Sequence, residues 1–574
     1  ITTPIYYVND RPHIGHCYTT TVADAAARFQ RLLGRDVFFL TGTDEHGQKV
    51  EKSAALKGVP PQALADENAA QFRAAMDAIG ASYDDFIRTT EPRHKRQVQA
   101  AFERLVQTGD IELGTFEGWY DEGQEEYVTD NQAREKNYTA FNGQPLKRAS
   151  ETNYYFRLDK YQARLEKFYD QHPDFVKPAA RFNEVRARFR DGLQKVPVSR
   201  TNFSWGIPVP DHLPGGPGHV IYVWIDALLN YATALGKIDP AIAASCGVPA
   251  AERAKYWPAD VHLIGKEILW FHAVIWPAVL MALGFKDAEL PKCVYAHSFF
   301  ISEGKKMSKT LGNFIDLPTL RAYADRYSLD AVRWYLLTQG PLNETDADFS
   351  YAKFVEVYNA DLANTFSNSC NRVGNMIEKY FAGAIPAPGA ADDSKLLVSD
   401  SVTLDPRAVA ADALRAAHAH LDRHEFDAAL MQGKKLVTLV DQHINATEPF
   451  KLAKRIDEPG VRDQIAGILY RCAELLRVAS LLLHPALPEK TAQLWRYWNL
   501  DILKDRDNPR SGFAAPLADL AAFGGRYAFK PGHAITKGDP LFMRADPKRP
   551  PPPPPHPPPP PPPPAPTPPP PPPP

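Results

Sequence analysis

His13 and His16 stand three residues apart around Gly15 in "PHIGH", residues 12 to 16, after a β-branched run and before a helix-period pattern. Side chains at that spacing where a helix begins share a face, and imidazole N–H groups beside a helix N-terminus suit phosphate. Gly15 leaves room for a flat base to approach the backbone. A second stretch, "EGKKMSKTLGN", sets Lys306 and Lys309 on a glycine-bounded loop between a strand-like run and a helix, two point charges for the same kind of ligand. Each alone has a plain reading: a structural histidine pair, a solvated lysine loop. With 17 His and 34 Gly in 574 residues, H-x-G-H is expected about 0.03 times by chance, and the two signals together point to nucleotide chemistry.

The elements that must hold these groups are written around them. "ITTPIYYV" reads as a strand, and after "NDRPHIGH" the residues Tyr18, Val22, Ala25, Ala26, Phe29, Leu32 and Leu33 follow a helix period. "GRDVFFLTGTDEHG" repeats the strand and polar loop, and the theme resumes at "HVIYVWIDALLNY" and "DVHLIGKEILWFHAVIWPAVL". This alternation predicts an α/β fold with a parallel sheet, whose ligands bind beyond the strand carboxyl ends. Aromatic and turn-rich sequence predicts an inserted domain over 110–199, splitting the sheet domain into 1–109 and 200–300, with the lysine loop in 301–349. Helical patterns fill 350–499, a bundle. A C-terminal segment, 500–546, precedes a proline-rich tail, 547–574, which reads as polyproline II at ~3.1 Å per residue or a disordered tail.

Composition narrows the class. A hydrophobic share of 44% over 574 residues suits a multidomain globule. The formal net charge of −2 gives no global field toward a polyanion, so any nucleic-acid surface is a local patch. The 5 cysteines form no C-x-x-C pair, which predicts free thiols in a reducing compartment, and no stretch has membrane-spanning length. The chain opens at Ile1 within a strand-like run, so the N-terminus reads as incomplete, and the expected location is cytoplasmic with an organellar alternative.

With both signatures in view the sequence resembles the class I aminoacyl-tRNA synthetases, whose HIGH and KMSKS motifs read "HIGH" and "KMSKT" here. "TPIYYVND", "GTDEHG", "EGWY", "SRTNFSWGIPVP", "YVWIDALLNY", "IGKEILWFHAVIWPA" and "DLANTFSNSCNRVGNM" extend it in order over roughly 1–545, and their combination is similar to the methionine-specific branch. The resemblance implies a split Rossmann-type sheet with a connective insert, a stem-contact region after the KMSKT loop and an anticodon-binding helical bundle. It implies activation of L-methionine with ATP to methionyl-adenylate, transfer to the 3′ end of initiator and elongator tRNA-Met, and Mg²⁺ accompanying ATP. His13, Gly15, His16, Gly265, Glu267, Lys306 and Lys309 would then bind ATP, with His13, His16, Lys306 and Lys309 catalytic. Ile5, Tyr7, Asp44, Trp224, Ala227, Leu228, Tyr231, Ile268 and His272 would hold methionine, Asp44 at its ammonium. Asn364, Asn368, Asn371, Arg372 and Phe450 would meet the anticodon, Phe450 standing where relatives have tryptophan. Monomer and homodimer are both compatible with the sequence.

The sequence departs from many relatives in the insert, where Gly118 to Leu158 contain neither cysteine nor histidine. No structural zinc is expected, since zinc knuckles need such ligands; Trp119, Tyr120, Tyr127 and Tyr155 are expected to hold a small β-rich insert, with a hairpin turn at Asn142-Gly143. Three rival readings make different demands on the chain. A catalytically dead RNA-binding paralogue would have lost signature residues, and a small nucleotidylyltransferase would have no use for the insert, the KMSKT loop or the bundle. A synthetase for another amino acid would differ in the pocket.

Overall fold

The computed structural model describes residues 1–548 apart from 10, 122–125, 129, 136, 141–142, 303, 308–314, 389–394, 400, 507 and 509–511. Within described elements the side chains of Lys306 and Tyr127 also lie outside the description, as do Lys309 and the proline tail altogether.

A six-stranded sheet organises the catalytic half. Its order is Asp85–Arg88, Leu40–Asp44 (β2), Thr2–Tyr7 (β1), His262–Gly265, Val294–His297 and Val176–Lys177, and every pairing is parallel. The strands β2, His262–Gly265 and Val294–His297 are buried at every residue, the polar Asp44, His262 and His297 included. The strand order reverses at the junction of β1 with His262–Gly265, where a parallel sheet opens its ligand crevice. The helix Ile14–Leu32 (α1) leaves β1 there and packs nearly all of its length into the core.

The stretch 110–199, expected as one inserted domain, does not follow a single sheet. Ile111–Asp121 and Lys147–Phe156 form a long antiparallel pair flanked by Glu126–Val128 and Val196–Pro197, whereas Val176–Lys177 pairs with Val294 and Tyr295 in the main sheet. A two-residue strand carries no periodicity, so nothing in the hydrophobic pattern signals this return. The tip of the insert is centred on Val128, Ala133, Ala140 and Leu146, against which Trp119 packs. Aliphatic side chains thus take part of the role expected of aromatics. The Trp119 indole donates to Asp130 Oδ1 at 2.9 Å, Tyr155 is buried, and Gly143 has a φ of +82°. Asn142 lies outside the described residues.

The C-terminal half is built from Asn368–Phe381, Pro406–Asp422, Phe426–Thr447 and Val461–Leu483. Two features depart from the regular helices predicted for 350–499. Leu396–Ser399 and Val402–Leu404 form a hairpin, and Tyr358–Ser367 runs as π-helical turns, where Thr365 Oγ1 donates to the Ala360 carbonyl at 2.6 Å. The segment beyond 500 lies against these turns: Asn359 exchanges two bonds with Ala545 at 3.0 and 2.8 Å, and the Tyr358 hydroxyl donates to the Met543 carbonyl at 2.7 Å.

Candidate active site

α1 begins with a reciprocal cap built from the two signature histidines. The Gly15 N–H donates to His13 Nδ1 at 3.1 Å, and the His13 N–H donates to His16 Nδ1 at 3.2 Å. Each Nδ1 therefore serves as an acceptor, so each neutral ring carries its proton on Nε2 as a donor. The rings lie 3.8 Å apart between centroids. Burial, reinforced by the neighbouring His13, pushes His16 well below the ordinary imidazole value, which keeps it neutral at physiological pH. A Cβ on residue 15 would stand 2.9 Å from His13 Cε1, so glycine is what lets the His13 ring fold back over the turn.

This turn opens onto a cavity of about 370 Å³ above the strand carboxyl ends. His13, Gly15, His16, Gly265 and Glu267 line it, as do all nine residues matched to the methionine pocket: Ile5, Tyr7, Asp44, Trp224, Ala227, Leu228, Tyr231, Ile268 and His272. Four elements converge there: β1, the end of β2, the helix Val223–Leu228 with its continuation, and the turns after His262–Gly265. Trp224 stacks on Phe271 at 3.7 Å, making one aromatic wall. His272 Nδ1 meets the Ile268 carbonyl at 3.0 Å and must donate there, so Nε2 accepts the Tyr231 hydroxyl at 2.7 Å. Burial pushes His272 down to about 4 and Tyr231 far above its ordinary value, so both stay neutral. The Tyr231 proton is committed to His272, and this side of the cavity carries no formal charge.

The acidic groups of the lining are Asp44 and Glu267. Asp44, at the C-terminal end of β2, is 8% exposed. Glu267 folds over Gly265 so closely that a Cβ there would lie 2.3 Å from its Oε2, and desolvation raises the Glu267 pKa. Sequence reasoning missed Lys49, Asn230, His297 and Phe299, which also line the cavity. Lys49, five residues beyond Asp44, stands just past the polar turn of "GTDEHG", and that position was the available signal.

The strand that leads toward the lysine loop starts beside the same crevice, which His297 and Phe299 line. Phe300–Ser302 follows Val294–His297 and pairs antiparallel with Lys305–Lys306, Ile301 opposite Lys306. Residues 308–314, with Lys309, lie outside the described residues, but the chain on their far side is tied to the histidine turn. The Ile14 N–H donates to the Ile315 carbonyl at 3.0 Å, and Asp316 forms an antiparallel bridge with His13. The chain just beyond the lysine loop is therefore tied to the histidine turn through backbone atoms.

The anticodon candidates lie elsewhere, in the helical half. Asn364 and Asn368 are exposed and Asn371 and Arg372 half-buried, all along Tyr358–Ser367 and Asn368–Phe381. Arg372 reaches Asn445 Oδ1 at 3.2 Å, and Asn371 Oδ1 accepts from Asn375 at 2.5 Å. Phe450, on Pro449–Leu452, is 42% exposed, a large ring left open to solvent. No helix among the described residues is long and apolar enough to cross a membrane.

Residues 1–374 match the family model for class I tRNA synthetases (M). The methionine--tRNA ligase of Halalkalibacterium halodurans is 40% identical over 561 residues, covering 95% of this chain and 78% of that protein. The methionine--tRNA ligase of Mesorhizobium japonicum is 40% identical over 552 residues, with 95% and 97% covered. The structure of Mycobacterium tuberculosis methionyl-tRNA synthetase in complex with methionyl-adenylate superposes with a TM-score of 0.81 at 35% identity, covering 95% of this chain and 99% of that one. Its apo form gives 0.74 at 31% identity. Family model, curated relatives and solved structures agree over most of the chain, which belongs to the methionine--tRNA ligases of the class I tRNA synthetase family.

Proposed function

We propose that the cavity binds L-methionine and ATP together, forms methionyl-adenylate and pyrophosphate, and then loads tRNA-Met. The observation that carries this reading is the Ile14–Ile315 hydrogen bond with the His13–Asp316 bridge, since it ties the chain just past the lysine loop to the histidine turn that lines the cavity.

The nucleophile is the methionine carboxylate, ionised at neutral pH, so no protein base has to create it. A carboxylate oxygen bonds to the α-phosphorus as the bond to the bridging oxygen of pyrophosphate breaks. Catalysis then consists of positioning and of donors placed where charge develops. His13 and His16 offer Nε2–H groups to the phosphates, and Lys306 and Lys309 neutralise the departing pyrophosphate. Glu267 takes the ribose hydroxyls over Gly265. Asp44 holds the ammonium, and the Trp224, Ala227, Leu228, Tyr231 and Ile268 walls take the thioether, whose polarizable sulfur suits aromatic contact. Among the described residues no group of three His, Cys, Asp or Glu could hold a metal. Mg²⁺ would arrive with ATP, on the phosphates and several waters. Pyrophosphate exchange across a panel of amino acids tests the reading: exchange dependent on methionine supports it, and exchange with another amino acid or none overturns it.

For tRNA we place the anticodon against Asn364, Asn368, Asn371, Arg372 and Phe450. The exposed Phe450 ring supports this, because stacking on an unpaired base contributes about 1–3 kcal/mol. Phe450→Ala should accordingly raise the KM for tRNA by roughly 10- to 100-fold in charging assays with tRNA-independent exchange unchanged. Equal charging by both proteins would remove Phe450 from the interface. The insert is proposed to hold without zinc, its tip being packed by Val128, Ala133, Ala140 and Leu146. Elemental analysis of purified protein is expected to give far less than one zinc per chain; stoichiometric zinc would be the contrary result. The free thiols of all five cysteines support a reducing, cytoplasmic setting.

A further inference from the structure

Asp226 is a fully buried carboxylate that the proposed chemistry does not use. It sits on Val223–Leu228 between Trp224 and Ala227, which line the cavity, but does not line it itself. Its Oδ2 lies 2.6 Å from His46 Nδ1 and its Oδ1 2.7 Å from His94 Nε2, both rings being buried. An ionised carboxylate only accepts, so both nitrogens donate to it. Burial opposes its ionisation, yet the two imidazoles win and hold the Asp226 pKa below the usual carboxylate value.

The partners of this carboxylate come from elements that carry different walls of the amino-acid site. His46 follows Asp44 by two residues on the turn leaving β2. That turn is tightly fitted: Gly47 has a φ of +104°, and a Cβ there would stand 3.0 Å from the Tyr7 hydroxyl. His94 belongs to Pro92–Gln107, and its Nδ1 meets Thr233 Oγ1 at 2.8 Å; Thr233 also donates to the Asn230 carbonyl at 3.3 Å. The chain of bonds therefore runs from the Asp44 turn through Asp226 to the segment Asn230–Thr233, which carries Tyr231.

We propose that Asp226 is a positioning residue for the amino-acid substrate, its links to His46 and His94 fixing the separation between Asp44, where the ammonium ends, and the Trp224–Tyr231 wall that takes the side chain. The inference rests on the methionine reading of the cavity. A substrate held at both ends is sensitive to that separation, since an anchor displaced by about 1 Å costs on the order of 100-fold.

The test uses the full chain in methionine-dependent pyrophosphate exchange. Failure of the parent protein to exchange with methionine would refute the site reading itself, whatever the Asp226 variants do. Asp226→Asn keeps the shape but sets an amide N–H against one donating imidazole. It is expected to raise the KM for methionine by about 10-fold or more, with the KM for ATP within about 2-fold. Inhibition by 2-hydroxy-4-(methylthio)butanoate, which lacks the ammonium, should change far less than the methionine KM, because only the ammonium anchor loses its register. A methionine KM within about 2-fold of the parent, or methionine and ATP constants rising together, would overturn the proposal. Should Asp226→Asn not fold, His46→Asn and His46→Ala give the same decision. The asparagine amide stands where the ring N–H stands and should keep the methionine KM within about 3-fold, whereas alanine raises it about 10-fold or more. Equal constants for these two variants would also overturn it.

Discussion

His16→Asn is expected to slow adenylate formation by about two to three decades while its thermal unfolding stays close to that of the parent protein. The two effects separate because the ring does two jobs through two nitrogens. Nδ1 accepts the His13 N–H at 3.2 Å, an interaction that an asparagine oxygen reproduces from the same distance along the side chain. Nε2 is the donor left for phosphate, and asparagine has nothing there. His16→Ala should lose both, adding a capping cost of about 1 kcal/mol to the same rate defect. The charge state also matters. Because burial and His13 depress the His16 pKa, the ring is neutral at physiological pH, and acidification through that depressed value would protonate Nδ1 and break the cap. Exchange at saturating ATP and methionine, read beside a melting curve, decides the point: full activity in His16→Asn would exclude Nε2 as a phosphate donor. Lys309→Ala should show a loss of similar size, about 3 kcal/mol of transition-state stabilisation, with methionine affinity little changed.

The parts of this design that sequence exposed are those whose chemistry is local. The H-x-G-H turn could be read because a glycine between two imidazoles is rare and because strand and helix periods flank it, and the parallel sheet followed from strands buried on both faces. The nine pocket positions came from resemblance; composition alone reads "YVWIDALLNY" as core, yet most of it lines the cavity, with Ile225 and Leu229 buried in the core beside the lining residues. What stayed hidden depends on pairings between distant segments. The return of Val176–Lys177 to the main sheet involves two residues, and the contact of Ile315 with Ile14 spans some 300 positions through backbone atoms that any side chain would supply. The Asp226 cluster is invisible for the same reason, being assembled from His46, His94 and Asp226, each unremarkable in its own stretch. The π-helical turns at Tyr358–Ser367 leave the apolar spacing close to an ordinary helix, so periodicity does not announce them.

Arg333→Met is expected to cost about 3–5 kcal/mol of stability, because it removes one partner of a buried ion pair and leaves three carbonyls without their donor. Arg333 and Asp24 are fully buried and 2.6 Å apart. Asp24 also takes Arg28 at 2.7 Å and both the N–H and hydroxyl of Ser82, at 2.7 and 2.6 Å. The Arg333 guanidinium further donates to the carbonyls of Ile79 at 3.0 Å, Pro485 at 2.8 Å and Ala486 at 3.3 Å. One side chain thereby joins α1 and the sheet domain to the end of Val461–Leu483 in the helical half. The pH dependence has two opposed parts. Burial disfavours Asp24 ionisation, but Arg28 and Arg333 hold its folded pKa below the unfolded value, so its contribution is present above about pH 4 and is lost as pH falls further. Asp330, three residues before Arg333, has the reverse sign: burial lifts its carboxyl to about 7, and its Oδ1 has no hydrogen-bond partner among the described residues although Oδ2 accepts the Lys490 N–H at 2.6 Å. A folded pKa above the unfolded one means that stability declines as pH rises from about 4 to 7, by an amount on the order of a few kcal/mol. Asp330→Asn keeps the acceptor for Lys490 and cannot ionise, so its melting temperature should exceed that of the parent at pH 8 and converge with it toward pH 4. Parallel melting curves for the two proteins across that range would show that Asp330 does not titrate in the fold, and the gain at pH 8 would then be absent.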